Sequence, residues 1–183
     1  MSGTEPVAEV MSRKGAEAST EAGATTPFEW SAVKEAFRAA EHEFWLTTVN
    51  ATGRPHVVPV FAAWADSSFF VASKETARKT GDLAATGRCV VATNIGEAHV
   101  VVEATARRVE DPPTMQEASA TFAARYGWPT TVVGDEIDAP YAAPTSGGPP
   151  FQVWELTPVK AFGFPTDGEV SAPTRWRFGA AGS

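Results

Sequence analysis

Cysteine occurs once in the 183 residues, tyrosine twice and histidine three times. A lone Cys89 cannot form an internal disulfide, which excludes a disulfide-stapled scaffold. No apolar run approaches the roughly 18 residues that a transmembrane helix needs. No basic stretch followed by an apolar one stands near the start, so no signal peptide is expected and the cytoplasm is the expected compartment. Lys and Arg number 15 against 22 Asp and Glu, for a net charge of −7. That balance argues against nucleic acid or an anionic membrane as partner, because contacts to phosphates need basic surface. His42, His56 and His99 are scattered, and together with Cys89 they match no zinc spacing, so no metal site is expected. GxGxxG, the Walker phosphate loop and GxSxG are also absent.

Residues 1–26 contain no aromatic side chain and set Arg13 and Lys14 against Glu5, Glu9, Glu17 and Glu21. So little apolar surface does not offset the entropy of ordering, and the segment reads as a disordered tail. Residues 27–183 form one expected domain. Phe28, Trp30, Val33, Phe37 and Ala40 approximate helical spacing, which predicts a helix over 29–41. The period then changes. Phe44–Asn50, Pro55–Ala65 and Phe69–Ala72 read as strands, rich in aromatic and β-branched residues and separated by short turns. A helix is expected over 76–86, closed by Gly87. Cys89–Thr93 and His99–Val109 are strands about a turn at Gly96 and Glu97. Pro112–Tyr126 is a helix with proline in its first turn. Residues 128–150 are rich in Pro, Gly and Asp and read as a long irregular loop. Phe151–Phe164 holds one or two strands broken near Pro158, and Thr174–Phe178 a last short one. Short strands joined by tight turns, with helices inserted after the third and fifth, predict a mainly β (α+β) fold: an antiparallel barrel of six or seven strands with peripheral helices.

Most polar residues have an ordinary reading. Cys89, in an apolar strand, is a small buried hydrophobe. Asp135, Glu136 and Asp138 are solvated loop charges. One stretch breaks a rule. Arg78 and Lys79 fall in the first turn of a helix, where cations oppose the helix dipole by about 0.3–1 kcal/mol each. Unpaired backbone N–H groups sit at the same end. Two cations beside such donors suit an anion, above all a phosphate, and departures from local rules gather at functional positions.

The order of Pro55-His-Val-Val-Pro-Val60, an apolar Phe69–Ser73 strand and Ala77-Arg-Lys-Thr-Gly-Asp-Leu83 resembles the pyridoxamine 5′-phosphate oxidase-like, flavin-binding split-barrel superfamily. The likeness is strongest from Phe44 to Glu110. It implies an antiparallel split barrel with Arg78 and Lys79 on the cofactor phosphate, where the oxidase has Ser-Arg-Lys-Gly. It places Ser73 at the strand end facing that phosphate. By the shared Val102-Glu103, it places His99 where the oxidase has a Gln near the ring. Two departures are specific. The oxidase's charged second strand is replaced by Pro59–Trp64, and its C-terminal Arg-x-His by Arg175-Trp176-Arg177. In the Gly53-Arg-Pro-His-Val-Val-Pro-Val60 strand and the terminal Pro173-Thr-Arg-Trp-Arg-Phe178 the chain looks more like the actinobacterial reductases that use the deazaflavin coenzyme F420. That likeness implies a wall for the ring at Val58, Pro59 and Val60, Trp176 closing over it, and a homodimer with the cofactor in the interface groove.

The leading reading is hydride transfer between coenzyme F420 and a small unsaturated or aromatic substrate. His56, Tyr126, Tyr141 and solvent are all open as proton sources, and no residue is assigned as catalytic. One alternative keeps the clamp but holds FMN, as in an oxidase-like oxidoreductase. Another is a flavin- or haem-binding protein without turnover.

Overall fold

The computed structural model describes residues 5–11, 26–39, 42–96, 98–144, 146–166 and 171–179. Eleven strands and three helices alternate along these residues. The chain opens with β1 (Val7–Val10), α1 (Trp30–Arg38), β2 (Phe44–Val49), β3 (Pro55–Val60), β4 (Ala62–Ala65) and β5 (Ser68–Ser73). After α2 (Arg78–Thr86) come β6 (Arg88–Ile95), β7 (Ala98–Arg108) and α3 (Pro112–Tyr126). The chain ends with β8 (Thr131–Val133), β9 (Glu136–Asp138), β10 (Gln152–Pro165) and β11 (Thr174–Arg177).

Every ladder between these strands is antiparallel. The barrel closes because one chain path changes partner. β3 pairs with β2, the chain passes Phe61, and β4 then pairs with β5. β5 pairs with β10, β10 with β7, β7 with β6, and β6 with β2. The long strand expected over 55–65 is therefore two strands with one role each. β10 makes a similar switch. Gln152–Leu156 lie along β5, whereas Lys160–Gly163 lie along β11, and the register slips between Pro158 and Lys160. Proline lacks the N–H a ladder needs, which fits a change of partner there.

Strand alternation sends Leu46, Val91, Val100, Val102 and Leu156 into the barrel, all essentially inaccessible. α1 packs its Trp30, Val33 and Phe37 into the same core. Those positions follow a helical stripe, and their rings meet Trp64 and Phe69, with Phe37 and Phe69 centroids 4.9 Å apart. A second core lies outside the barrel. Met115, Ala118 and Phe122 of α3 pack with Trp128, Ile137 and Phe151 against Phe70 and Val153. The 128–150 segment is thus not wholly irregular: it contains the β8–β9 hairpin, and Trp128 and Ile137 anchor it to this core.

The N-terminal segment also departs from expectation. Val7–Val10 is a strand, paired in register with β11 from Val7↔Arg177 to Val10↔Thr174. All four residues are exposed. The open backbone edge of β11 and the Glu9 carboxylate 2.6 Å from Arg175 order it, not apolar burial. The expectation of a disordered tail is corrected for these residues; positions 1–4 and 12–25 lie outside the described residues. Among the described residues, no helix is long and apolar enough to cross a membrane.

Candidate functional site

The residues singled out by sequence fall at two ends of the sheet. At one end, β5 runs out at Ser73 and α2 begins at Arg78. Ala77 is the N-cap and supplies no side-chain cap to the helix. Donors at the start of a helix that its own chain does not satisfy are available to an anion. Thr80 Oγ1 is hydrogen-bonded to Ser73 Oγ (2.8 Å) and to the Lys74 carbonyl oxygen (2.7 Å), so the strand end and the first helical turn are fixed together. Arg78 is exposed, with Nε 3.9 Å from the Asp82 carboxylate. Asp82 is itself buried and accepts a hydrogen bond from Thr48 on β2 (2.8 Å). Lys79 is half-buried, and desolvation lowers its pKa below the ordinary 10.5. The Lys74 ammonium lies 5.8 Å from the centroid of the Phe151 ring.

The other end belongs to the outward face of the sheet. Cross-strand register aligns Pro59 with Trp45, Trp45 with Ala92, Ala92 with Val101, Val101 with Phe162, and Phe162 with Arg175. Beside this row is an open cleft of about 630 Å³, lined in part by His42, Glu43, Trp45, Asn94, His99 and Val101. His99 is exposed on β7, and its Nδ1 lies 2.6 Å from Oδ1 of Asn94, its direct cross-strand partner.

The expected site residues thus separate. Ser73, Arg78 and Lys79 come together, and Pro59 shares the outward face with the His99 cleft. Val58 and Val60 do not form the exposed wall. They are half-buried, with Val60 packed on the barrel core, and the outward positions of β3 are Val57 and Pro59. Trp176 does not close over a ring. It has no exposed surface and packs against Phe28, Trp30 and Gly163. Alternation on β11 turns Arg175 and Arg177 outward and Trp176 inward. Ser73 pairs with Gln152 and His99 with Phe164, at opposite ends of β10. That is roughly 40 Å of strand path at about 3.3 Å per residue.

Sequence reading missed Trp45, Asn94 and the Asp82–Thr48 pair. Asn94 was within reach of a hairpin argument, since a turn at Gly96 and Glu97 sets it opposite His99. Asp82 and Thr48 are 34 positions apart and carry no local signal. Among the described residues, no group of three His, Cys, Asp or Glu side chains is placed to hold a metal ion.

The arrangement defines a class: a split β-barrel with a cationic helix start at one end and an open, partly aromatic cleft at the other. Residues 31–164 match the family model for pyridoxamine 5′-phosphate oxidase, and the chain belongs to that family. Solved structures share the fold. PhzG from Burkholderia lata, in complex with tetrahydrophenazine-1-carboxylic acid, is similar with a TM-score of 0.55 at 14% identity, over 83% of this chain and 84% of that one. HutZ, the haem storage protein of Vibrio cholerae, gives 0.52 at 19%, over 73% and 91%. An F420 reductase gives 0.50 at 15%, over 70% and 94%. No curated protein matches the sequence.

Proposed function

We propose that the protein is a homodimeric oxidoreductase that uses coenzyme F420 to reduce a small unsaturated or aromatic molecule. One observation carries this reading: Arg78 and Lys79 stand at a helix start without a side-chain cap, tied by Thr80 to Ser73. Charge-assisted contacts from two cations and free N–H groups fit the phosphate of a flavin or deazaflavin. A bound deazaflavin supplies the hydride chemistry, and the protein supplies position and electrostatics. Pro59 and Trp45 offer a flat apolar wall and His99 a polar contact at its rim. His99 and Ser73 stand at opposite ends of β10, whereas Thr48, three residues from Trp45 on β2, is hydrogen-bonded to Asp82 of α2. In the proposed dimer the cofactor lies in the groove between two copies joined through the outward face. Trp45, Val57 and Phe164 are large, apolar and exposed there, at 45%, 53% and 42%.

The deazaflavin is favoured over FMN because β3 presents apolar residues to the ring, and charged partners to an anionic flavin ring are few. Lys74, beside Arg78 and Lys79, adds a third cation for an anionic tail. The solved F420 reductase of the same fold supports the reading. A second reading, haem binding without turnover, draws on His42 and His99 lining one cleft and on the haem storage protein of the same fold.

The test is titration of wild type and an Arg78→Ala, Lys79→Ala double variant with F420 and with FMN, followed by absorbance. Each lost charge-assisted contact costs about 1.5–3 kcal/mol of binding, while the melting temperature holds because the Arg78 side chain is exposed and Lys79 is half-buried. Equal affinities in the two proteins overturn the clamp. Retention of FMN with no uptake of F420 transfers the assignment to FMN. A haem spectrum with neither flavin bound transfers it to the second reading.

A further inference from the structure

The contact between Asn94 and His99 fixes more than the pose of a ring. A carboxamide oxygen only accepts, so with Asn94 Oδ1 at 2.6 Å the proton of a neutral His99 sits on Nδ1. The hydrogen bond at one ring nitrogen sets the state of the other. Nε2 is then a bare acceptor, and His99 lines the 630 Å³ cleft with Trp45 and Val101. Asn94 and His99 are directly paired residues of adjacent strands, next to the turn that joins β6 and β7. Backbone register sets the two residues opposite each other, and the contact itself is made by their side chains.

We infer that Asn94 is a positioning residue that makes His99 an obligate hydrogen-bond acceptor, so that the cleft selects planar heterocycles presenting an imide-type N–H at their edge. The inference rests on the ring cleft of the proposed function but not on the phosphate clamp. A flavin and a deazaflavin share such an edge, a carbonyl–N–H–carbonyl run in the pyrimidine ring. A donating Nε2–H would instead favour a carbonyl or a deprotonated nitrogen and would oppose the N–H. A site built around a substrate donor rejects the analogue that lacks it, because the site's own polar atom is left unpaired. Glu43 and His42 are the other titratable groups lining the cleft.

Two measurements test this. The first is a long-range proton–nitrogen spectrum of the ¹⁵N-labelled full chain at about pH 8, where an ordinary histidine is neutral. His99, identified by its absence in His99→Phe, should show the proton on Nδ1. In Asn94→Leu, which has no acceptor, that preference should be lost. The second is binding of lumiflavin and of 3-methyl-lumiflavin, which lack the phosphate and so bypass Arg78 and Lys79. Wild type should bind lumiflavin roughly tenfold more tightly, the scale of one lost hydrogen bond. In Asn94→Leu and His99→Phe the ratio should fall to near one. A proton on Nε2 in wild type overturns the inference, as does equal binding of the two rings or a preference that survives in Asn94→Leu. Absence of any lumiflavin binding overturns both this inference and the ring cleft, whereas the phosphate clamp is judged separately by the FMN and F420 titrations.

Discussion

At Lys79 burial and charge oppose each other. Desolvation lowers its pKa, and a phosphate bound opposite it draws the proton back. Cofactor affinity is therefore expected to fall as pH climbs through the lowered value, short of the ordinary lysine range. Lys79→Arg keeps its charge throughout, so titrations from about pH 7 to 10 should slope for wild type and stay level for the variant. Parallel slopes would assign the pH effect to another group. For folding without ligand the sign is reversed. A lysine whose folded pKa is depressed is held back in its charged form, so the fold gains stability as pH rises from the lowered value to the unfolded one. Gly163 carries a steric consequence. A Cβ there would meet the Trp176 ring at 2.6 Å, inside a core where Trp176 has no exposed surface. Gly163→Ala should cost about 1–3 kcal/mol through overpacking. Calorimetry reads this directly, and an unchanged melting temperature would mean that the aromatic core yields.

Among the elements, β1 is the one held chiefly by polar contacts. None of its four residues is buried. Its ladder to β11 is continued by Met11 donating to the Pro173 carbonyl oxygen at 2.8 Å. Glu9 reaches Arg175 at 2.6 Å and Arg177 at 3.8 Å. The hydrogen bond from Arg175, followed by that residue's charge, holds the Glu9 carboxyl below its ordinary 4.5. The sign follows from that depression. The docking contributed by the pair is complete above the ordinary value and is lost as pH falls through the lowered one. Protection of the Val7–Val10 amides, taken relative to the intrinsic exchange rate at each pH, should fall in acid, and at neutral pH in Glu9→Ala, with a further loss in salt because the pair is exposed. Amides of β10 between β5 and β7 should not respond. Equal protection of β1 and β10 under all conditions would show that the strand is part of the cooperative core.

On the scale of the whole molecule, closure of the barrel leaves one sheet face with more apolar surface than its interior explains. The aligned row from Pro59 through Trp45, Ala92 and Val101 to Phe162 faces outward. Contiguous exposed apolar surface marks an interaction site, and a two-fold interface places the same patch on both copies. Trp45→Glu sets a charge within that row, at an exposed position outside the barrel core. Sedimentation should show a dimer for wild type and a monomer for the variant, with folding intact and cofactor retention lost together with the dimer. A monomeric wild type that still binds cofactor would contradict the shared site.

Much of this molecule is decided by short-range pattern. Alternation in Phe44–Val49 and the 11 residues of β7, the helical stripe of Trp30, Val33 and Phe37, and the end of α2 at Thr86 before Gly87 all follow from neighbouring residues, which is why they were legible in sequence. The start of α2 falls at Arg78, two residues later than the expected Thr76. Ser73 was set beside Arg78 and Lys79 by the family resemblance, and it is Thr80 in the first turn of α2 that hydrogen-bonds it. What alternation does not say is which face of a strand is inside. That depends on register with partners far along the chain, and a slip of one residue reverses every side chain. So Val57 and Pro59, not Val58 and Val60, face outward, and Trp176 enters the core while Arg175 and Arg177 leave it. The division of β10 between β5 and β11, the docking of Val7–Val10, and the cleft that joins Trp45 to His99 are likewise products of long-range pairing. No local propensity encodes them, because their energy exists only once distant strands have met.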